Sequence, residues 1–324
     1  MSMFVVALIG VVASVIGYVS LFGSKTFTVH QSGIVVITGA STGIGRHAAE
    51  HLAQKYKSYL VLAGVRRASD AESIRGMRIS NLQPIIVDVT DHDSVVRAVD
   101  EVKALIEKTA LPLIAVVNNA GIAQKSTLEF HRIESIRAIF DTNYFGVIDL
   151  TQQVLPLLRS SKGRIINISS VAGFVSAPLL SSYSASKFAL EALSDGLRRE
   201  VAQFGISVSV VQPAFVRTPI LDKTDVAFKG RHPDFMSKSI YDDEFQSLYS
   251  RHYDEKVRKK TDKELELASG PIVTSEVIED AIVSATPRTR YTVASAAGLP
   301  AIVLKWIFWA LSDRMRDALL SSIG

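Results

Sequence analysis

Through the middle of the chain, short β-branched apolar runs alternate with longer amphipathic stretches. Ile34 to Thr38, Tyr59 to Ala63, Pro84 to Val87, Leu113 to Asn118, Arg164 to Ser169 and Ile206 to Val211 are six strand candidates. The segments between them have helical length and period; in Ser94 to Lys108, for example, Val95, Val99, Val102 and Ile106 fall near one face. Strands separated by single helices form right-handed crossover units, with helices covering both faces of a parallel sheet. The expected fold class is therefore α/β, one doubly wound domain over residues 33–293. No internal repeat, low-complexity tract or linker divides it. Its one disturbance is residues 219–269, where charge and aromatics rise and periodicity fails. Loops of that length inside a compact domain are usually functional, so this segment reads as a functional insertion.

The two ends explain a composition that the middle alone does not. Apolar residues make up 48% of 324 positions, and the mean hydropathy is +0.23. No Asp, Glu, Lys or Arg precedes Lys25, and Met3 to Phe22 is almost unbroken apolar sequence. About 20 such residues span a bilayer core, so residues 1–24 are expected to form a transmembrane helix that anchors the chain. A cleaved signal peptide competes with this reading, but the segment has no basic start, a long apolar part and no clear A-x-A site. Lys25 and Arg46 follow it, which places the main domain on the cytosolic side. Residues 294–324 form a C-terminal apolar region: Leu299 to Leu311 is too short to span, carries Trp306 and Trp309, and reads as interfacial or as a helix packed on the core or a second subunit. Lys256, Arg258, Lys259 and Lys260 could touch anionic headgroups, although a charge run of this kind is ordinarily a solvated helix face.

Composition also excludes function classes. With no cysteine, thiolate catalysis, thiolate metal sites and disulfides are ruled out. The net charge of +4 is small and dispersed, so no nucleic-acid partner is expected. The seven histidines lack ligand spacing, and no metal site is expected.

The first strand candidate runs into Thr38-Gly39-Ala40-Ser41-Thr42-Gly43-Ile44-Gly45, and a helical stretch follows from Arg46. Glycines at such a bend permit positive φ and let a pyrophosphate approach amides at a helix N-terminus, where the dipole favours anions. Further motifs follow in order: Asn118-Asn119-Ala120-Gly121, Asn143, Ser169-Ser170, Tyr183-Ser184-Ala185-Ser186-Lys187, and Pro213 to Thr218. The set resembles the short-chain dehydrogenase/reductase family. The stretch Pro287 to Val293, with Ser312 to Asp317, resembles the retinol and hydroxysteroid dehydrogenase branch. Ala214 departs from the pattern, which usually has Gly there, and puts that loop's conformation in question.

The resemblance implies a Rossmann-like domain and an NAD(P)-dependent oxidoreductase. It makes Gly39, Ser41, Thr42, Gly43, Ile44, Gly45, Asp88, Val89, Asn119, Ala120, Gly121, Tyr183, Lys187, Pro213, Val216 and Thr218 the cofactor-binding set, joined by Arg66 and Arg67. The latter two bear on cofactor choice. An acidic residue at the end of the second strand would hydrogen-bond a ribose 2′-hydroxyl, whereas Val65 beside Arg66 and Arg67 suits a 2′-phosphate; NADP is expected, with NAD possible. The chemistry needs Tyr183 and Lys187 close together, and four residues on a helix put them on one face. A neighbouring ammonium favours phenolate in a group whose ordinary pKa is near 10. By the resemblance, Tyr183 exchanges the proton, Lys187 is its electrostatic partner and holds the nicotinamide ribose, Ser170 polarises the carbonyl, and Asn143 positions a water in a proton relay. Asn167-Ile168-Ser169 is a glycosylation sequon in form, in an expected buried strand.

After Thr218, the residues Phe228, Phe235, Met236, Tyr241, Phe245, Tyr249 and Tyr253 offer surface for a lipophilic substrate of steroid, retinoid or fatty type. The expected protein is a homo-oligomer at a membrane of endoplasmic-reticulum type, although no C-terminal retention signal is present. The alternatives are an NAD-linked alcohol dehydrogenase on similar substrates and a non-catalytic nucleotide-binding scaffold at a membrane.

Overall fold

The computed structural model describes residues 25–219, 248–249, 266–296 and 298–321. In chain order the elements are β1 (Gly33–Ile37), α1 (Gly43–Lys55), β2 (Tyr59–Val65), α2 (Ala68–Arg75), β3 (Leu82–Ile86), α3 (His92–Thr109) and β4 (Leu113–Asn118). Next come α4 (Ile133–Phe140), a π-helical turn (Asp141–Phe145), α5 (Gly146–Ser161), β5 (Arg164–Ile168), α6 (Ser181–Val201) and β6 (Ser207–Pro213). The C-terminal part adds α7 (Ile272–Val283), β7 (Arg290–Val293), the two-residue strands β8 (Ser295–Ala296) and β9 (Leu299–Pro300), α8 (Ala301–Ala310) and α9 (Asp313–Ser321).

The main sheet runs β3-β2-β1-β4-β5-β6-β7, every pair parallel. This is the expected doubly wound, Rossmann-like α/β domain. It holds a seventh strand that the apolar pattern did not reveal, because β7 is only four residues long and opens on Arg290. β1, β2, β4, β5 and β6 are buried along their whole length, as required of parallel strands covered on both faces. Alternate residues serve opposite layers: Val35 and Ile37 pack with Ala49 and Leu52 of α1 and Ile278 of α7, while Ile34 and Val36 pack with Val95 and Val99 of α3 and Leu158 of α5. Side chains such as Leu52 and Leu158, with no exposed surface, each contribute about 1.5–3 kcal/mol by burial. Pro84 sits within β3, which pairs with β2 alone; an edge position tolerates the missing donor.

Chain order reverses between β1 and β4, and ligands of such sheets bind at that crevice, beyond the carboxyl ends of the strands. At the opposite end of the sheet, residues 25–32 are stitched to the domain. Phe27 donates to the Ala285 carbonyl at 2.8 Å, and the Tyr59 hydroxyl donates to the His30 carbonyl at 2.8 Å. Arg164, wholly buried at the start of β5, donates to the carbonyls of Thr28 at 2.8 Å and Ala281 at 2.9 Å.

Among the described residues no helix is long and apolar enough to cross a membrane. The expected anchor over residues 1–24 lies outside the described residues, as do Lys256 to Lys260 and Phe228, Phe235, Met236, Tyr241, Phe245 and Tyr253. The C-terminal apolar stretch forms α8, which buries Ala301 and Phe308 and exposes Trp306 and Trp309 at 63% and 76%. Replacing Arg164 by Leu removes the donor to the Thr28 carbonyl and to that of buried Ala281. The expected result is a loss of about 1–3 kcal/mol in urea denaturation and faster tryptic cleavage after Lys25 in the same variant.

Candidate active site

Thr38 follows β1 and ties the two sides of the crevice together. Its Oγ1 accepts from the amides of Asn119 and Ala120, each at 3.0 Å. The Asn119 side-chain amide returns two bonds, to the carbonyls of Thr38 at 2.8 Å and Gly39 at 3.1 Å. The turn and the loop after β4 are thus one unit, and its closeness explains two glycines. Gly39 has φ +64°, and a methyl group there would lie 2.7 Å from Ala120 Cα. At Gly45 it would press on the Asn119 amide and stand 2.6 Å from the Gly39 carbonyl oxygen. Ala40 donates to the Gly64 carbonyl at 2.8 Å, joining the turn to β2. Ser41 and Thr42 lead to the N-terminus of α1, which opens on Gly43-Ile44-Gly45 with no side chain capping it. Free helix amides of this kind favour an anion.

Arg66 and Arg67 follow β2 at the edge of this turn. Both are exposed, and Arg67 is engaged with Asp70 through bonds of 3.0 and 3.3 Å. The Asp88 carboxylate accepts from the Thr90 amide at 3.0 Å and its hydroxyl at 2.8 Å. Val89 is buried against the backbone of Gly146, where a side chain would collide with it. Thr218 closes the far side of the crevice: a methyl group on Gly43 would meet its Cβ at 3.2 Å. Pro213 ends β6, and Val216 is buried beside Ser269 in an isolated bridge. Ala214 donates to Val293 at 3.0 Å and is not among the residues of positive φ. Alanine is accommodated there because the backbone continues the pairing with β7 rather than turning left-handed.

The four residues expected to carry the chemistry come from three elements. Asn143, fully buried, lies in the π-helical turn rather than in regular α-helix; such insertions are frequent at functional sites. Its side chain brackets Ile122, accepting from the amide and donating to the carbonyl, both at 2.9 Å. It also donates to Ser186 Oγ at 3.0 Å, and Ser186 donates to the Tyr183 carbonyl at 2.7 Å. Gly121 lies between two of the four: a methyl group on it would stand 3.3 Å from Asn143 Oδ1 and 3.6 Å from Lys187 Nζ. Lys187, 5% exposed, donates to the Ile168 carbonyl at 2.9 Å, and burial brings its ammonium down to about 8. Its Nζ lies 5.8 Å from the centre of the Tyr183 ring. Burial pushes the Tyr183 phenol up, and a hydrogen bond with Ser170 offsets part of that rise. Ser170 caps a short 3₁₀ turn by accepting from Ala172 at 3.1 Å.

Several supporting residues were not expected. Ser186 stands inside the Tyr183-to-Lys187 motif, but its link to Asn143 depends on a helix distant in sequence. Asn118, Asn167 and Ser194 form a buried ladder beneath the site, with bonds of 2.8 and 2.9 Å; Asn167 is fully buried. His131 bonds Ser182, the neighbour of Tyr183, at 3.2 Å. Tyr249 donates to Glu129 at 2.6 Å and meets Phe130 edge-on at 5.8 Å, joining the insertion to the loop after β4. Among the described residues no group of acidic or histidine side chains could hold a metal ion.

Residues 33–227 match a family model described as short chain dehydrogenase. The chain is 36% identical over 267 residues to 3-amino-tetrahydro-pyrrolizinone reductase of Xenorhabdus hominickii, covering 81% of this chain and 87% of that one. It is 35% identical over 266 residues to retinol dehydrogenase 5 of Mus musculus, covering 80% and 79%. A solved short-chain dehydrogenase from Streptomyces avermitilis superposes with a TM-score of 0.67 at 27% identity, over 90% of this chain and 95% of that one.

The crowding at Gly45 yields a direct expectation. Gly45→Ala forces the turn and Asn119 apart, so NADPH affinity measured by fluorescence titration is expected to fall about tenfold or more, corresponding to about 1.4 kcal/mol.

Proposed function

The chain belongs to the short-chain dehydrogenase family, and on that premise we propose that it transfers a hydride between NADP(H) and an alcohol/carbonyl pair on a lipophilic substrate at a membrane. The observation that carries this reading is the grouping of Ser170 with Tyr183 and of Asn143 and Lys187 on either side of Gly121, at the crevice where the strand order reverses. The cradle fits a dinucleotide: the open amides of Gly43 to Gly45 would hold its diphosphate, and the glycine at 121 would leave room beside Lys187 for a ribose. When bound, the nicotinamide supplies or accepts the hydride.

The remaining chemistry belongs to this chain. In the reductive direction Tyr183 donates the proton to the substrate oxygen, while Ser170 hydrogen-bonds that oxygen and stabilises its developing charge. Lys187, as an ammonium, lowers the cost of phenolate left on Tyr183. Its position just above neutrality, at about 8, means that this help fades as the pH rises through that value. Asn143 is committed to Ile122 and Ser186, so its side chain holds the loop after β4 against α6.

NADP is favoured over NAD by the lack of an acidic residue at Val65 and by the exposed guanidinium of Arg66, which can meet a 2′-phosphate while Arg67 is held by Asp70. A lipophilic substrate is supported by the aromatic contact of Phe130 with Tyr249 at the insertion and by the relative named for retinol. Membrane attachment is supported by the uncharged run from Met3 to Phe22 and by the paired, exposed Trp306 and Trp309 on α8, with the catalytic domain facing the cytosol in an endoplasmic-reticulum-type membrane. Exposed Phe145 and Phe188, on the helical segments carrying Asn143 and Lys187, support a homo-oligomer built through those faces.

Two measurements test the reading. With NADPH and all-trans-retinal, Tyr183→Phe is expected to lower kcat/KM by about 10²–10⁴-fold; unchanged turnover would sink the assignment. Arg66→Ala is expected to weaken NADPH by about tenfold while leaving NADH within about twofold, read by parallel fluorescence titrations.

A further inference from the structure

Lys187 does not stand alone in the interior. One helical turn further along α6 lies Glu191, 9% exposed, on the side of the helix that faces β6 and β7. Glu191 Oε2 accepts from Arg290 Nε of β7 at 2.9 Å, and Oε1 accepts from the buried Gln212 side chain of β6 at 2.9 Å. Gln212 in turn accepts from Thr292 at 2.8 Å and from Lys305 Nζ of α8 at 3.0 Å. Arg290 also donates to Asp195 at 2.9 Å, which is shared with Arg198 at 2.8 Å. Glu191 touches the Ser170 turn as well, since a methyl group on Gly173 would stand 3.0 Å from its Cγ.

On the reading of Lys187 as the catalytic ammonium, we infer that Glu191 is a positioning residue whose carboxylate holds Lys187 in its charged form and supports the turn that carries Ser170. Among the described residues, the charged and titratable side chains bound into this cluster are Tyr183, Lys187, Glu191, Asp195 and Arg198 of α6, Arg290 of β7 and Lys305 of α8. Burial opposes the Lys187 ammonium, and the Glu191 carboxylate is the group that opposes burial. Arg290 pairs with Glu191 directly and offsets its charge, while Lys305 reaches the cluster only through Gln212. Charge on Lys187 is thus set by burial on one side and, on the other, by a carboxylate one helical turn away whose own partner is Arg290.

The sign of the effect separates this role from simple packing. Loosening of the interior would hydrate Lys187 and return it upward toward an ordinary lysine, whereas loss of a nearby negative charge drives it further down. The test is competitive acetylation of the full chain by acetic anhydride across a pH series, with Lys187 followed by peptide mass spectrometry. Glu191→Gln is expected to lower the Lys187 labelling midpoint by about one pH unit. Arg290→Gln, which leaves the carboxylate and removes a competing cation, is expected to raise it, and Glu191→Asp to hold it near the wild-type value. An unchanged or raised midpoint in Glu191→Gln overturns the inference; so does an unchanged midpoint in Arg290→Gln, should the first variant not fold. Labelling needs no substrate, so wild-type protein inactive on every carbonyl would count against the proposed reaction and leave this result legible.

Discussion

Everything at the site depends on two strands far apart in the chain lying side by side. Thr38 at the end of β1 accepts hydrogen bonds from the amides that follow β4, and Asn119 returns two to the glycine turn. These bonds satisfy backbone groups that an open crevice would otherwise leave unpaired. They also bring the turn and the loop so close that only glycine fits at positions 39 and 45. The cofactor cradle is therefore a consequence of β1 and β4 being neighbours, and the helix N-terminus points into it because α1 must leave β1 at that place.

The candidate catalytic groups depend on the same frame from its other side. α6 begins after β5 and carries Tyr183, Ser186 and Lys187 past the carboxyl end of the sheet. The π-helical turn offsets one face of the helix so that Asn143 reaches both Ile122 and Ser186. Burial then acts in opposite senses on two groups. It raises the phenol of Tyr183 and lowers the ammonium of Lys187, so each neutral form is favoured until a neighbouring charge intervenes. The network through Glu191, Arg290 and Gln212 answers that need and extends to Lys305 on α8. In this way the last helices of the chain touch the same electrostatic balance as the active site, although their exposed tryptophans face outward.

Much of this was legible in the residues. The alternating pattern specified the fold class because a parallel sheet needs β-branched strands buried on both faces, and helices to cover them. Asn143, Ser170, Tyr183 and Lys187 stood out because their chemistry and order left few other uses for them together. Two features went unread. β7 has too few residues and too charged a start to show strand periodicity, and exists as a strand because Val210 to Pro213 offer it a pairing edge. Ser186, Gln212 and Glu191 look like ordinary polar residues, since their partners lie on other elements and no local spacing records a contact across the sheet.

The sequence by itself determined the class of fold, the glycine turn after the first strand, the Tyr-Lys spacing on one helix face and the absence of any thiol. Those are local properties: backbone freedom at glycine, helical period and side-chain chemistry act within a few residues. Only the tertiary structure decided which distant groups meet. It placed Asn143 in a π-helical turn against Ile122, paired Arg67 with Asp70, let Ala214 replace glycine without a left-handed backbone, and joined Glu191 to Arg290 and Gln212. Hydrogen bonding and charge act through space, over distances of a few ångströms, and that proximity is created by strand order rather than by sequence order.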